Sequence, residues 1–169
     1  MSLTIYQSSV PVFIRALNQL KAILAKGAAN AATRKIDEST FMQGRLAPDM
    51  FPLPAQVQIA TDMARGGAAR LTGVEPPKFE DDEKSFADLI ARVDKTVEYM
   101  KSLPEAAFEG GDTRTITRPV RGQPKQFTGR NYLQQFLIPN LYFHTTAAYL
   151  ILRHNGVDIG KADFIGPLD

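Results

Sequence analysis

From residue 2 to residue 26, apolar side chains recur at Leu3, Tyr6, Val10, Phe13, Leu17, Leu20 and Leu24. These alternating steps of three and four line one face of a helix. Gly27 is the expected stop, and Pro11 predicts a kink or a start near residue 9. A long linker follows, GAANAATRKIDESTFMQGRLAPDMFPLP, which reads as a packed loop or a partly helical crossover. Pro54 suits the first turn of a second helix, where its missing donor would be orphaned anyway. The inner face of that helix is Val57, Ala60, Ala64, Gly67, Ala68 and Leu71, small enough for a neighbour to come close, and Gly73 closes it. A third helix carries Phe86, Leu89, Ile90, Val93, Val97, Met100 and Leu103 on one stripe. The acids Glu80 to Glu83 precede it, as suits a helix N-terminus. Pro104 ends it.

Between Thr113 and Phe127 the period shortens to polar and apolar alternation, with Arg121 and Gly122 as the turn of a two-stranded hairpin. Thr128 then caps a fourth helix, bent at Pro139 and ended by Asn155 and Gly156. The tail folds back through Val157, Ile159 and Phe164. The pattern predicts an all-α, antiparallel four-helix bundle in one domain, residues 1–169, with a long first crossover and a small β-hairpin before the last helix.

Composition removes several classes of function. The 169 residues are 44% hydrophobic, enough for one ordinary core, and the net charge is only +2. The pI near 8.9 reflects a slight excess of base and no polycationic surface, so no nucleic-acid partner is expected. Lacking cysteine, the chain forms no disulfides and offers no thiolate to a metal or a substrate, which fits a cytoplasmic setting. The stretch Asn131 to Leu152 is uncharged and long enough to span a bilayer. However, Asn131, Gln134, Gln135, Asn140, His144 and Pro139 interrupt it, so it is read as a buried helix with no membrane partner.

The candidate chemistry centres on His144, which shares a face of the fourth helix with Leu137, Leu141, Ala148 and Ile151 and therefore points inward. A helical metal site sets ligands four residues apart, but the residues four from His144 are Asn140 and Ala148. His154, ten residues on, is turned about 80° away and lies about 15 Å along the axis. No Asp or Glu occurs between Thr113 and Val157, so a carboxylate ligand would have to come from Asp49 or Asp62. A core histidine held by one hydrogen bond is the plainer reading. The same span holds Arg114, Arg118, Arg121, Lys125, Arg130 and Arg153, read as a solvated edge that blocks strand pairing.

The segments RLAPDMFPLPAQVQIATDMA and PNLYFHTTAAYLILRHNGVDIGKADF resemble a family of bacterial domains of unknown function, number 1993, itself similar to the DinB and YfiT-like superfamily. The resemblance implies a four-helix bundle, commonly dimeric, whose divalent metal is held by three histidines, one early in the second helix and an HxxxH pair in the fourth. Some members transfer small thiols or act as hydrolases. His144 matches the first histidine of that pair. Its partner position is Ala148, and a glutamine, Gln58 or Gln56, stands for the second-helix histidine, leaving a degenerate metal site.

Three functions fit these residues. In the first, a metal-free, homodimeric bundle binds a small ligand in a cavity lined by His144, Gln58, Asp49 and Tyr6. In the second, a zinc- or nickel-dependent transferase or hydrolase uses His144 with Asp49 or Asp62. The third is a dimeric scaffold without a site.

Overall fold

The computed structural model describes residues 3–168. Its four longest helices are α1 (Val10–Arg34), α3 (Leu53–Thr72), α4 (Phe86–Lys101) and α6 (Ile138–His154). They pack as a ring of neighbours, α1 on α4, α4 on α3, α3 on α6 and α6 on α1. The start of the expected first helix, Ser2, lies outside the described residues; Val10 is where α1 begins, with Pro11 in its first turn. Gly27 does not end it. A Cβ there would come 2.8 Å from the Phe86 ring, so Gly27 serves close packing, and α1 runs on until Lys35 turns left-handed at φ 54. The expected crossover is partly helical, containing the short α2 (Glu38–Met42), whose N-cap Asp37 accepts from the Ser39 amide.

Helix α3 begins with Pro54 in its first turn and stops at Gly73, φ 83. Its six inner-face residues are all buried. They let α6 approach so closely that a Cβ on Gly67 would fall 2.6 Å from Leu137 Cδ1. The β-hairpin pairs β1 (Thr115–Val120) with β2 (Gln123–Thr128), Thr115 facing Thr128 and Val120 facing Gln123. Both turn residues, Arg121 at φ 51 and Gly122 at φ 77, are left-handed, as a two-residue hairpin turn that matches the strand twist requires. Arg114 reaches back to donate to the Leu71 carbonyl at the end of α3.

The last helical run opens as α5 (Gly129–Tyr132), where the Thr128 hydroxyl accepts from the Asn131 amide. A wide π turn, Leu133–Leu137, joins it to α6. Pro139 explains the wide turn. It has no N–H, and its ring would press on the carbonyl four residues back, so the chain opens one turn earlier instead of breaking. The Asn140 amide then donates to the Phe136 carbonyl at 2.6 Å. No described helix is long and apolar enough to cross a membrane. The tail returns as expected, with Val157 and Ile159 buried, and α7 (Lys161–Ile165) brings the Phe164 ring within 5.7 Å of Tyr149.

One buried cation ties α3 to α4 and to the connection between them. Arg92, on the apolar stripe of α4 and with a side chain only 2% exposed, donates from Nε to the Thr61 hydroxyl at 2.8 Å. Nη1 donates to the Glu80 carbonyl and to Glu83, and Nη2 lies 3.0 Å from both Asp62 and Asp81. Four of the guanidinium's five donors make hydrogen bonds, and Asp81 adds an ion pair. Part of the acidic run therefore turns inward to this charge instead of sitting at the start of α4, where Ser85 is the cap and Asp88 the acid of the first turn. Burial alone would raise the Glu83 pKa, but hydrogen bonds from Arg92 and Gln58 hold its carboxyl below the usual range. Replacing Arg92 by Met leaves the buried Glu83 carboxylate without its cation and is expected to cost about 3–5 kcal/mol, read as a lower urea midpoint. A variant as stable as the parent would show the network to be dispensable.

Candidate functional site

His144 lies on the side of α6 that meets the start of α3, and its side chain is turned inward and 8% exposed. Its partner is Gln56: Nδ1 sits 2.7 Å from Gln56 Oε1. The direction of that bond follows from the amide. Gln56 donates from Nε2 to the Phe51 carbonyl at 3.0 Å, so its oxygen faces the imidazole and must accept. Nδ1 therefore carries the proton and Nε2 holds the lone pair. Nε2 has no hydrogen-bond partner among the described residues. The Phe143 ring stands edge-on to the imidazole, centroids 5.2 Å apart. Burial pushes the His144 pKa below its ordinary value, so at neutral pH the ring is uncharged and Nε2 is available as an acceptor or a base.

The other residues expected here are elsewhere. Gln58 points away, its amide donating to Glu83 at 2.7 Å. The glutamine that meets His144 is Gln56, two residues earlier and about 200° round the helix. Asp49 sits exposed in the loop before α3, and Asp62 is bound to Arg65 at 2.6 Å and to Arg92. Tyr6 lines a separate cavity of about 630 Å³ with Phe108, Leu133 and Gln134. Gln134 precedes His144 by ten residues, about 15 Å of helix. Gln58 and Tyr6 therefore do not converge on His144.

A sequence profile of a domain of unknown function, DUF1993, matches residues 5–165. The chain belongs to the DUF1993 family. Among solved structures it is similar to the crystal structure of a DinB family member protein from Shewanella denitrificans, determined at 1.83 Å. The two are 43% identical, the match covers 96% of this chain and 92% of that one, and the TM-score is 0.91. None of the curated proteins matches.

The DinB likeness raises the question of a metal, and the donor set here does not suit one. The three positions that the superfamily pattern would fill with histidine hold His144, Ala148 and a glutamine. Of the two glutamines, Gln56 is the one that meets His144, and its oxygen is already taken by Nδ1–H. Ala148 is fully buried and offers no donor. No group of three or more His, Cys, Asp or Glu able to hold a metal occurs among the described residues. A neutral amide and one imidazole give a poor site for zinc or nickel.

Beside the pair, on the outer side of α6, lies an apolar groove of about 460 Å³ lined by Leu46, Met50, Pro139, Tyr142, Phe143 and Leu150. Phe143 belongs to both, bordering the groove and packing on the imidazole. The loop wall is joined to the pair in turn, because Gln56 holds the Phe51 carbonyl next to Met50. Neither the groove nor Gln56 was singled out by apolar spacing: Leu46 and Met50 come from a loop with no period. The nearest signal for the glutamine was the resemblance, which left Gln56 and Gln58 open.

Because the folded His144 binds a proton less readily than the unfolded chain does, protonation favours unfolding. Stability should be flat above about pH 6.5, the ordinary histidine value, and fall as the pH drops below it. His144→Gln should remove that part of the slope in urea titrations between neutral and mildly acid pH. An unchanged slope would assign it to carboxylates.

Proposed function

We propose that this chain is a DinB-like four-helix bundle that binds a small ligand without a metal, the His144–Gln56 pair standing where the superfamily pattern places its metal centre. The observation that carries the reading is the imidazole's fixed tautomer: Nδ1 is held by Gln56, and Nε2 is left with a free lone pair, the Phe143 ring standing edge-on to the imidazole. The groove beside it is of ligand size and mostly apolar, with Thr146 as one of its few hydroxyls. The fitting ligand is a small, largely apolar molecule carrying one O–H or N–H, which Nε2 accepts when Phe143 swings aside. Where that proton is acidic, His144 takes it as a base. The metal-dependent alternative lacks this support, since Asp62 is already paired with Arg65 and Arg92 and the imidazole's one hydrogen-bond partner is an amide.

A panel of phenols and small apolar alcohols, titrated with NMR detection, tests the reading. Shifts should cluster on Pro139–Leu150 and the His144 ring, and His144→Phe should abolish the contribution of the hydroxyl while leaving apolar binding in place. Shifts confined to the cavity around Tyr6 would move the site there and sink the proposal.

We also propose a homodimer, with the contact on the same face. Phe143 is 59% exposed and Phe51 58%, and Leu46, Tyr142 and Leu150 are exposed beside them, an apolar grouping of the kind that marks an interaction surface. A second copy laid there would roof the groove. Phe143→Asp is expected to yield monomer by light scattering; a dimer that persists would place the contact elsewhere.

A further inference from the structure

On the opposite half of α3 the hairpin closes over a second, smaller cavity of about 190 Å³. Arg65, Arg70, Arg118 and Tyr132 line it, with Ile59 and Pro76 among the apolar walls. It shares no residue with the His144 pair, and Arg65 and Arg70 lie nine and fourteen residues beyond Gln56, roughly 14–21 Å along the helix. We propose that this cavity binds a tetrahedral oxyanion of charge −2, the phosphate group of an ester or the free ion.

The charges do not balance without one. Of the three guanidiniums, only Arg65 has a carboxylate: Asp62, which Arg92 also claims. Neither Arg70 nor Arg118 pairs with an acid among the described residues. Two unmatched cations therefore face one small space beside the lone acid Asp62, an arrangement that repels itself unless an anion lies between.

The donors are unmatched as well. Arg65 has a side chain only 9% exposed; its Nη1 donates to the Pro77 carbonyl and its Nη2 to Asp62, yet its Nε is buried with no partner. Arg118 Nε is likewise buried and unpartnered. Orphaned buried donors are rare because each forfeits its hydration. Arg70 folds back along α3 to donate to the Gly66 carbonyl at 2.7 Å, and a Cβ at residue 66 would come 2.5 Å from its Nη1, so the glycine makes room for that posture. Tyr132 is 1% exposed and lines the same cavity as Arg70 and Arg118; its phenol supplies a neutral donor. Planar guanidiniums match the oxygen spacing of phosphate in a way that a lysine does not. The stem of Arg118 comes from the hairpin, so a bound anion would also bridge the hairpin to α3.

The test titrates the full chain with inorganic phosphate, phenyl phosphate and acetate at matched ionic strength and pH 8, followed by calorimetry. We expect saturable binding of one phosphate group per chain, weakened about tenfold by Arg118→Gln and again by Arg70→Gln, as for loss of one charged hydrogen bond each. Arg45→Gln, in the loop before α3, should bind as the parent does. Circular dichroism confirms that each variant is folded, and Arg118, half-buried on a surface hairpin, is the variant least able to unfold the helices. Tighter binding of phenyl phosphate than of phosphate identifies an ester as the source, and equal binding identifies the free ion. No saturable binding, acetate preferred over phosphate, or arginine variants that bind like the parent would each overturn the assignment. None of these outcomes touches the groove at His144.

Discussion

Arg92 carries a full positive charge into the space between α3 and α4, and the chain from Glu80 to Glu83 is drawn in around it. A buried guanidinium is tolerated only when its donors and its charge are both answered; here Thr61, Glu80, Asp62, Asp81 and Glu83 answer them from three directions. The consequence is architectural. The connection between α3 and α4 has no regular secondary structure of its own, yet it cannot leave the surface without uncovering this charge. Phe79 adds to the hold, with Lys95 and the Arg65 guanidinium each about 4 Å from its ring centre, a cation–π arrangement.

Asp62 shows how the same network shapes function. As a lone acid on α3 it reads as a possible metal ligand. In the folded chain it is shared between Arg65 and Arg92, so its charge is already committed. The His144 region is left with amide and imidazole alone, and its electrostatics are those of neutral dipoles. Charge is concentrated between α3 and α4 and at the hairpin, while the α3–α6 seam around His144 is uncharged.

The helices were legible in the sequence because their faces are periodic: Val57 to Leu71 are buried as their spacing implies, and so is the stripe from Phe86 to Met100 except for the half-buried Ile90. The hairpin was legible from two residues, Arg121 and Gly122, that its turn demands. What escaped was whatever depended on a partner distant in sequence. Gly27 looks like a stop until Phe86 is seen against it. Arg92 looks like an interruption in an apolar stripe until five acceptors converge on it. Gln56 and Gln58 are indistinguishable in composition, and only the rotation of α3 against α6 decides which one reaches the imidazole. Arg118, one of six bases in an acid-free span, looks like a solvated edge until the hairpin folds it towards Arg70.

Gly67 and Gln56 both lie on α3, and both grip the last helical run, one through the hydrocarbon of Leu137 in the π turn and the other through the ring of His144 in α6. A rod held at two points can neither slide nor roll. The π turn sets the phase of both points against α5, since the residue it accommodates determines which side chain enters the Gly67 notch and which faces Gln56. The imidazole is thus aimed in part from a distance, by a methyl group and a missing Cβ. Loss or gain of a single residue between Leu133 and Leu137 would rotate the aim by about a quarter turn and leave every side chain of the site intact but misdirected.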